Sequence, residues 1–195
     1  MKIFKKIPNV PNLLTLSRIF FSLTLLPFLM YYILPLHNFW LSKVLMIVCF
    51  LLSLTDFFDG YLARKYHQET KLGKWLDPIA DKVFVGSVLA TLALLGRISS
   101  TWAFMIMARE VIVTFFRWIG KSRGFAVPVF FIGRLKTTFQ YTYIMYVVGV
   151  PWGISTDLEA SVGILIFTAM GLTSLISGIV YSVYFAHQWY IHSRK

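Results

Sequence analysis

Four aspartates are concentrated in one short stretch of this 195-residue chain. Asp56, Asp59, Asp77 and Asp81 are half of its eight acidic residues. The first two are three residues apart and the last two are four apart, so each pair shares a face if the stretch is helical. Carboxylate oxygens bind hard divalent cations, and two such ions close together promote phosphoryl transfer. The spacing therefore predicts a divalent-metal site formed by two neighbouring helices.

A second group of ionisable residues follows further along the chain, and part of it lies inside an apolar segment. Arg109 and Glu110 interrupt that segment, where charged side chains are functional candidates. Glu110 and Arg117 share a helical face, so a structural ion pair is the simpler alternative, and Arg109 is predicted to have no local partner. Guanidinium groups bind phosphate through paired hydrogen bonds. Arg109 and Lys136, with Arg117 or Arg134, would therefore suit an anionic substrate.

The composition indicates which elements must position these residues. The chain is 57% hydrophobic and only 14% charged, whereas soluble domains average about 25% charged residues. A helix needs roughly 20 apolar residues to cross a bilayer. Six segments qualify, approximately residues 13–36, 39–58, 79–95, 101–119, 135–150 and 160–185. We therefore predict one all-α polytopic membrane domain over residues 1–195, with a short interfacial segment before the first span.

The polar connection between the second and third spans is predicted to be a turn. Gly73 is expected to end a helix there, and Pro78 is expected in the first turn of the next helix. Such a turn would bring the aspartates of both helices to one depth. Carboxylates facing lipid would each cost about 2.5–3.5 kcal/mol to insert, and four bare ones would repel each other. Bound cations would relieve both penalties.

The basic residues predict the orientation of the chain. The net charge is +11, yet all but two of the 19 Lys and Arg residues fall on one side of the six-span topology. The exceptions are Lys43 and Arg97, on the side that also carries Asp157 and Glu159. The positive-inside rule then places both termini and the aspartates in the cytoplasm. The positive charge is thus a topology signal, and nucleic-acid binding is not indicated.

Two alternatives for the acidic stretch remain at this point. It could be a solvated interfacial loop whose acids pair with Lys65, Lys71 and Lys74. It could also be a structural or transported-ion site, as in a divalent-cation transporter or sensor. A transporter should carry further polar residues deep in several spans. Apart from Arg109 and Glu110 these spans are apolar, which disfavours that class.

The same stretch reads Asp56-x2-Asp59-Gly60-x2-Ala63-Arg64-x8-Gly73-x3-Asp77-x3-Asp81 and resembles the full signature of the CDP-alcohol phosphotransferases. That family has six helices, with the signature at the cytoplasmic ends of the second and third. The resemblance implies transfer of a substituted phosphate from a CDP-linked donor to an alcohol, with release of CMP. It implies that the four aspartates hold two Mg²⁺ or Mn²⁺ ions and that Asp81 is also the general base. It implies a homodimer and a donor site formed by Asp56, Asp59, Gly60, Ala63, Arg64 and Gly73. For Arg64 alone, a membrane-interface anchor is the alternative.

Three further segments resemble the phosphatidylglycerophosphate synthases of that family. They are PNVPNLLTLSR at the start, MAREVIV in the fourth span and residues 133–137. The resemblance implies CDP-diacylglycerol as donor, glycerol 3-phosphate as acceptor and the bacterial cytoplasmic membrane as location. It adds Asn12 and Thr15 to the donor site. The predicted acceptor-phosphate ligands are Arg109, Lys136, Arg18, Arg117 and Arg134.

Several of these assignments have competing interpretations. Asn12, Thr15 and Arg18 share a helical face, and a helix cap with an interfacial arginine is the alternative. The acceptor could instead be inositol phosphate, serine or phosphatidylglycerol, giving a phosphatidylinositol-phosphate, phosphatidylserine or cardiolipin synthase. A membrane prenyltransferase is a further alternative, although the spacing of the aspartates fits it less well.

Overall fold

A computed structural model describes residues 10–65, 71–151 and 157–193, without the side chains of residues 10–12, 14 and 55–78. Most of the predicted N-terminal interfacial segment and part of the polar turn lie outside these ranges, and residues 10–12 of that segment begin α1. The described residues contain helices and no strand, which confirms the all-α prediction. In chain order the helices are α1 Val10–Leu23, α2 Leu25–Ile33, a 3₁₀ turn Leu34–Leu36, α3 Phe39–Lys65, α4 Lys71–Leu94, α5 Ser100–Ser122, α6 Phe131–Gly149 and α7 Asp157–Ser193.

The first predicted span is broken between α1 and α2. Pro27 cannot donate a hydrogen bond to the carbonyl of Leu23, and its ring crowds that carbonyl. Thr24 lies at the break, where its hydroxyl donates to the Phe20 carbonyl at 2.7 Å. A second interruption follows at the 3₁₀ turn, which contains Pro35 and ends at His37 with a φ of 51°. One continuous apolar run is therefore two helices and a turn.

Helices α3 and α4 extend further into the polar stretch than the hydropathy predicts. Asn38 caps α3, since its Oδ1 accepts the amides of Trp40 and Leu41 at 3.0 and 3.1 Å. At the other end α3 continues to Lys65, and α4 already begins at Lys71. The predicted helix stop at Gly73 and the first-turn position of Pro78 are therefore wrong. Hydropathy marks where apolar residues end, whereas backbone hydrogen bonding continues through polar helix formers.

The chain divides into two compact units. Unit 1 comprises Met1–Leu95 and Val148–Pro151, and unit 2 comprises Gly96–Val147 and Trp152–Lys195. In unit 1, α1 contacts both α3 and α4, and α2 packs against the same two helices. Buried apolar residues recur at helical spacing on the facing sides. They include Leu26 and Met30 of α2, Leu45 and Cys49 of α3, and Phe84, Val88 and Leu92 of α4.

In unit 2, α5 packs against α7. The end of α5 is a Schellman motif, in which the Phe125 amide donates to the Gly120 carbonyl at 2.9 Å and Gly124 has a φ of 82°. A Cβ on Gly120 would lie 2.9 Å from the Phe125 carbonyl oxygen, so only glycine fits. The loop then meets the end of α7, where Arg123 stacks on Trp189. These contacts fix the C-terminal part of α7 within its unit.

The outer surface of the molecule is apolar while several polar side chains are buried. Leu94, Phe104 and Leu165 are 83%, 73% and 69% exposed, whereas Lys136 is 1% exposed. Among the described residues, Thr15–Leu36 and Asp157–Ser193 are long and apolar enough to cross a bilayer. Only 22% and 28% of their most hydrophobic windows are buried, unlike the core helices of a soluble protein. The number of spans and the orientation of the termini stay predictions.

Candidate active site

The backbone of unit 1 carries the aspartate signature on two consecutive helices. Asp56 and Asp59 lie one turn apart on α3, and Asp77 and Asp81 lie one turn apart on α4, as the spacing predicted. The two helices contact each other. Gly60, Ala63 and Arg64 follow on α3, and Gly73 lies in the first turn of α4. Convergence of the carboxylates stays a prediction, because only Asp81 has a described side chain.

Asp81 is half-buried on α4. Ala80 and Phe84, its neighbours on that helix, are almost fully buried. Asp81 therefore lies at the edge of the unit 1 core and keeps partial access to the outside. A general base needs both, because packing fixes its position while its carboxylate must still reach the substrate.

The chemistry of the donor set fits a hard divalent cation. Four carboxylates on adjacent helices supply only oxygen ligands, which Mg²⁺ and Mn²⁺ prefer. Within the side chains that are described, no group of three or more His, Cys, Asp or Glu residues could hold a metal ion. Asp56, Asp59 and Asp77 are not among those described side chains. The signature is thus the candidate metal site of unit 1.

Helix α1 presents a buried polar face to the other helices of unit 1. Thr15 and Arg18, three residues apart, are 1% and 3% exposed, and Ser22 one turn later is fully buried. An arginine that only anchored the chain at the membrane interface would be exposed. The buried position of Arg18 therefore argues against that alternative. The side chain of Asn12 lies outside the described set.

A polar cluster in unit 2 joins three helices. It comprises Arg109, Glu110 and Arg117 of α5, Lys136 and Gln140 of α6, and Ser177 and Tyr181 of α7. Glu110 is its centre, because its Oε1 accepts from Arg109 Nη1 at 3.1 Å and from Lys136 Nζ. Lys136 Nζ also donates to Gln140 Oε1. The structure thus brings together Arg109 and Lys136, which are 27 positions apart in the chain.

Arg109 is held from a second side by α7. Its Nη2 donates to Ser177 Oγ at 2.7 Å, and that hydroxyl donates to the Ser174 carbonyl at 2.9 Å. The prediction that Arg109 lacks a local partner is wrong, because Glu110 beside it accepts from its Nη1. Its partners come from Glu110 beside it and from a helix 68 residues away, which no helical-face argument could identify.

Arg117 binds Tyr181 instead of Glu110. Its Nη2 donates to the phenol oxygen at 2.8 Å. The alternative of a Glu110–Arg117 ion pair is wrong for the described contacts. Two helical turns, about 10.5 Å of rise, separate the two residues. Lys136 of α6 binds Glu110 instead.

Of the predicted acceptor ligands in unit 2, Arg134 is the one that the described contacts leave outside this cluster. Its guanidinium lies over the ring of Phe131, with 5.7 Å between Cζ and the ring centroid. Conversely, the sequence did not single out Gln140, Ser177 or Tyr181. Ser177 and Tyr181 could have been predicted, because polar residues four apart within a long apolar helix indicate a buried polar face.

The cluster can bind an anion. It holds three cationic side chains and one carboxylate, and buried charges need compensation. Two buried donors, Arg109 Nε and Gln140 Nε2, have no hydrogen-bond partner among the described residues. Beside Arg109 is an apolar groove of about 370 Å³ between α5 and α7, lined by residues such as Trp102, Leu175 and Ile179. A phosphate would supply the missing negative charge and acceptor oxygens.

Comparison with known proteins supports the signature. The chain matches the CDP-alcohol phosphatidyltransferase family over residues 8–184. A CDP-diacylglycerol–glycerol-3-phosphate 3-phosphatidyltransferase of Rickettsia bellii is 35% identical over 174 residues, which is 89% of this chain and 93% of the relative. Proteins of the same name from Rickettsia typhi and Salmonella choleraesuis are 39% and 35% identical. They cover 68% and 73% of this chain and 71% and 78% of their own lengths. The family match extends over most of the chain, so the chain belongs to the CDP-alcohol phosphatidyltransferase family, as the aspartate signature predicted.

Proposed function

We propose that this protein transfers the phosphatidyl group of CDP-diacylglycerol to glycerol 3-phosphate, forming phosphatidylglycerophosphate and CMP. The reaction type is supported by family membership, and the substrates are those in the names of the relatives. The observation that carries the choice of acceptor is the polar cluster of unit 2. Its three cations outnumber its one carboxylate, which suits a phosphate monoester better than serine or an uncharged alcohol.

The donor binds at the signature in this proposal. Asp56, Asp59, Asp77 and Asp81 would hold two divalent cations, Mg²⁺ or Mn²⁺. Those ions would neutralise the diphosphate and the charge that develops on departing CMP. The rest of the donor site is assigned by the family signature and the N-terminal motif to Gly60, Ala63, Arg64, Gly73, Asn12 and Thr15. The buried position of Thr15 on α1, which packs against α3 and α4, supports its place beside the signature helices.

Asp81 acts as general base. Its carboxylate takes the proton of the glycerol 1-hydroxyl as that oxygen attacks the phosphorus of the phosphatidyl group. The bond from this phosphorus to the CMP oxygen breaks, so one ester bond replaces one anhydride bond. No covalent enzyme intermediate is needed. Presenting the acceptor hydroxyl to the donor phosphorus in a reactive geometry supplies a large part of the rate enhancement.

The acceptor's phosphate is bound by Arg109, Lys136 and Arg117. Arg109 and Lys136 already bind one carboxylate oxygen together, so their donor groups converge on a small anionic site. A phosphate would share or replace that interaction and add the uncommitted Nε of Arg109. Arg18, buried in unit 1, and Arg134, stacked on Phe131, are secondary candidates.

We further propose that the protein lies in a bacterial cytoplasmic membrane with the signature facing the cytoplasm. The apolar exposed surface, the two long apolar helices and the distribution of Lys and Arg support this placement. Glycerol 3-phosphate is soluble and charged, so the cytoplasmic face is where it is accessible. A homodimer is expected from the family resemblance.

The decisive experiment measures CMP release by the purified protein with CDP-diacylglycerol and Mg²⁺ or Mn²⁺. Glycerol 3-phosphate, inositol phosphate, serine and phosphatidylglycerol are offered separately. We expect CMP only with glycerol 3-phosphate, loss of release with a chelator and recovery on adding metal. Release with another acceptor alone would overturn the acceptor assignment. Cation flux into proteoliposomes without any CMP release would instead favour a transporter.

A further inference from the structure

Tyr181 is the side chain that the two arginines of the polar cluster share. It is 1% exposed in the middle of α7. Its phenol oxygen accepts from Arg117 Nη2 at 2.8 Å and from the Phe130 amide at 3.1 Å. The Cζ atoms of Arg109 and Arg117 lie 5.5 and 5.2 Å from its ring centroid. One tyrosine therefore contacts both guanidinium groups and the start of α6.

Arginine side chains need such support to form a defined anion site. Each has several rotatable bonds, and ordering them on binding lowers affinity. Two like charges also repel each other when close together. An aromatic ring attracts a cation, so a ring beside both guanidinium groups offsets part of that repulsion. The phenol oxygen additionally fixes the direction of Arg117 through a hydrogen bond.

Close packing fixes the position of Tyr181 itself. A Cβ on Gly133 would lie 2.8 Å from the phenol oxygen, so glycine at this position lets the hydroxyl approach the first turn of α6. Lys136 lies one turn further along the same helix. Tyr181 thus holds α6, with its lysine, in register with the two arginines of α5.

We propose that Tyr181 is a positioning residue for the acceptor site, orienting Arg109 and Arg117 toward the phosphate monoester of the acceptor. This inference rests on the proposed function of the polar cluster. Tyr181 acts through the arginines and takes no part in proton transfer. Its loss should therefore weaken acceptor binding and leave donor binding intact.

The test is Tyr181→Phe, which removes one oxygen atom and keeps the ring. We expect the KM for glycerol 3-phosphate to rise about tenfold, the effect of losing one hydrogen bond to a charged group. The KM for CDP-diacylglycerol and kcat should stay within about twofold on the same scale. The inhibition constant of inorganic phosphate, used as a competitive inhibitor, should rise in parallel with the acceptor KM.

Tyr184→Phe is the matched control. Tyr184 lies one turn later on α7, and its hydroxyl donates only to the Ala126 carbonyl, at 3.3 Å, among the described contacts. The same atom is removed outside the cluster, so both KM values should stay unchanged. Equal KM changes for donor and acceptor in Tyr181→Phe, or a change of similar size in Tyr184→Phe, would overturn the proposal.

A second variant tests the same role of Tyr181 if Tyr181→Phe does not fold. Gly133→Ala keeps residue 181 a tyrosine but places a methyl group against its hydroxyl, which should displace the ring. This variant should therefore also raise the acceptor KM selectively. The wild-type assay separates the two proposals. Absence of CMP release with glycerol 3-phosphate refutes the proposed function. Wild-type release with an unchanged acceptor KM in both variants refutes only the role of Tyr181.

Discussion

The two units of this protein carry charge in opposite ways. In unit 1 the four signature aspartates lie on two consecutive helices within 26 residues of chain, and the chemistry assigned to them requires added cations. In unit 2 the cations come from two helices and are already partly neutralised by Glu110. One region is a local motif whose proposed chemistry needs added metal ions, and the other is a tertiary assembly that contains its own counter-ion. The aspartate signature and the polar cluster should therefore respond differently to mutation.

The contrast follows from what each substrate demands. A nucleotide diphosphate needs strong, compact positive charge, which metal ions supply more effectively than side chains. A phosphate monoester on a small soluble molecule needs directional hydrogen bonds, which guanidinium and ammonium groups supply. Glu110 stabilises the buried cations of the polar cluster when no substrate is bound, because burying an unpaired cation costs free energy.

The largest predicted effect on activity comes from a change in the aspartate signature. Asp81→Asn should lower the rate of CMP release by about 10²–10⁴-fold, because an amide cannot accept the hydroxyl proton. The measurement is the initial rate at saturating substrates and metal. Asp157→Asn, at the exposed start of α7, is the control and should keep full activity. A fully active Asp81→Asn enzyme would show that another group is the base.

An intermediate effect is expected on the basic side. Lys136→Ala should raise the KM for glycerol 3-phosphate about 10- to 100-fold, since it removes a charged donor worth roughly 1.5–3 kcal/mol. The KM for CDP-diacylglycerol should stay within about twofold, because Lys136 is proposed to bind the acceptor and not the donor. Steady-state kinetics with each substrate varied in turn measures both values.

Lys121→Ala supplies the control for that comparison, since Lys121 is an exposed cation near the end of α5. It should change neither KM. Parallel increases of both KM values in Lys136→Ala would mean that the lysine supports the fold instead of the acceptor. The distinction between the two charged regions would then fail.

The smallest predicted effect concerns the α7 anchor of Arg109. Ser177→Ala removes the hydroxyl that accepts from Arg109 Nη2 and should raise the acceptor KM about two- to fivefold, because Glu110 still holds the guanidinium. Ser182→Ala, whose hydroxyl donates to its own helix at Gly178, should have no effect. An effect in Ser182→Ala as large as that in Ser177→Ala would point to α7 packing instead of Arg109.

Much of the helical layout was predictable because the apolar segments of this chain are long and well separated. Every predicted span corresponds to helix in the described residues. The errors occurred where hydropathy carries no information. Pro27 breaks an apolar run without changing its hydropathy, whereas α4 continues through Gly73 and Pro78, where the polar sequence predicts a turn.

The partners of the charged residues in unit 2 were much less predictable. Helical spacing suggested a pair between Glu110 and Arg117, since periodicity reports only which residues share a face. The observed partners, Lys136 and Tyr181, lie on other helices. Their meeting depends on how the helices pack, and Gly133 contributes by giving the phenol room.

The sequence by itself determined the family, the helical class and the eight-residue signature, because these depend on composition and on spacing within adjacent turns. Only the tertiary structure decided which charges meet in unit 2, why Arg117 is directed to Tyr181, and where uncommitted donors remain. The physical reason is distance along the chain. Contacts within one turn follow from helix geometry, whereas contacts between residues 26 to 68 positions apart exist only once three helices have packed together.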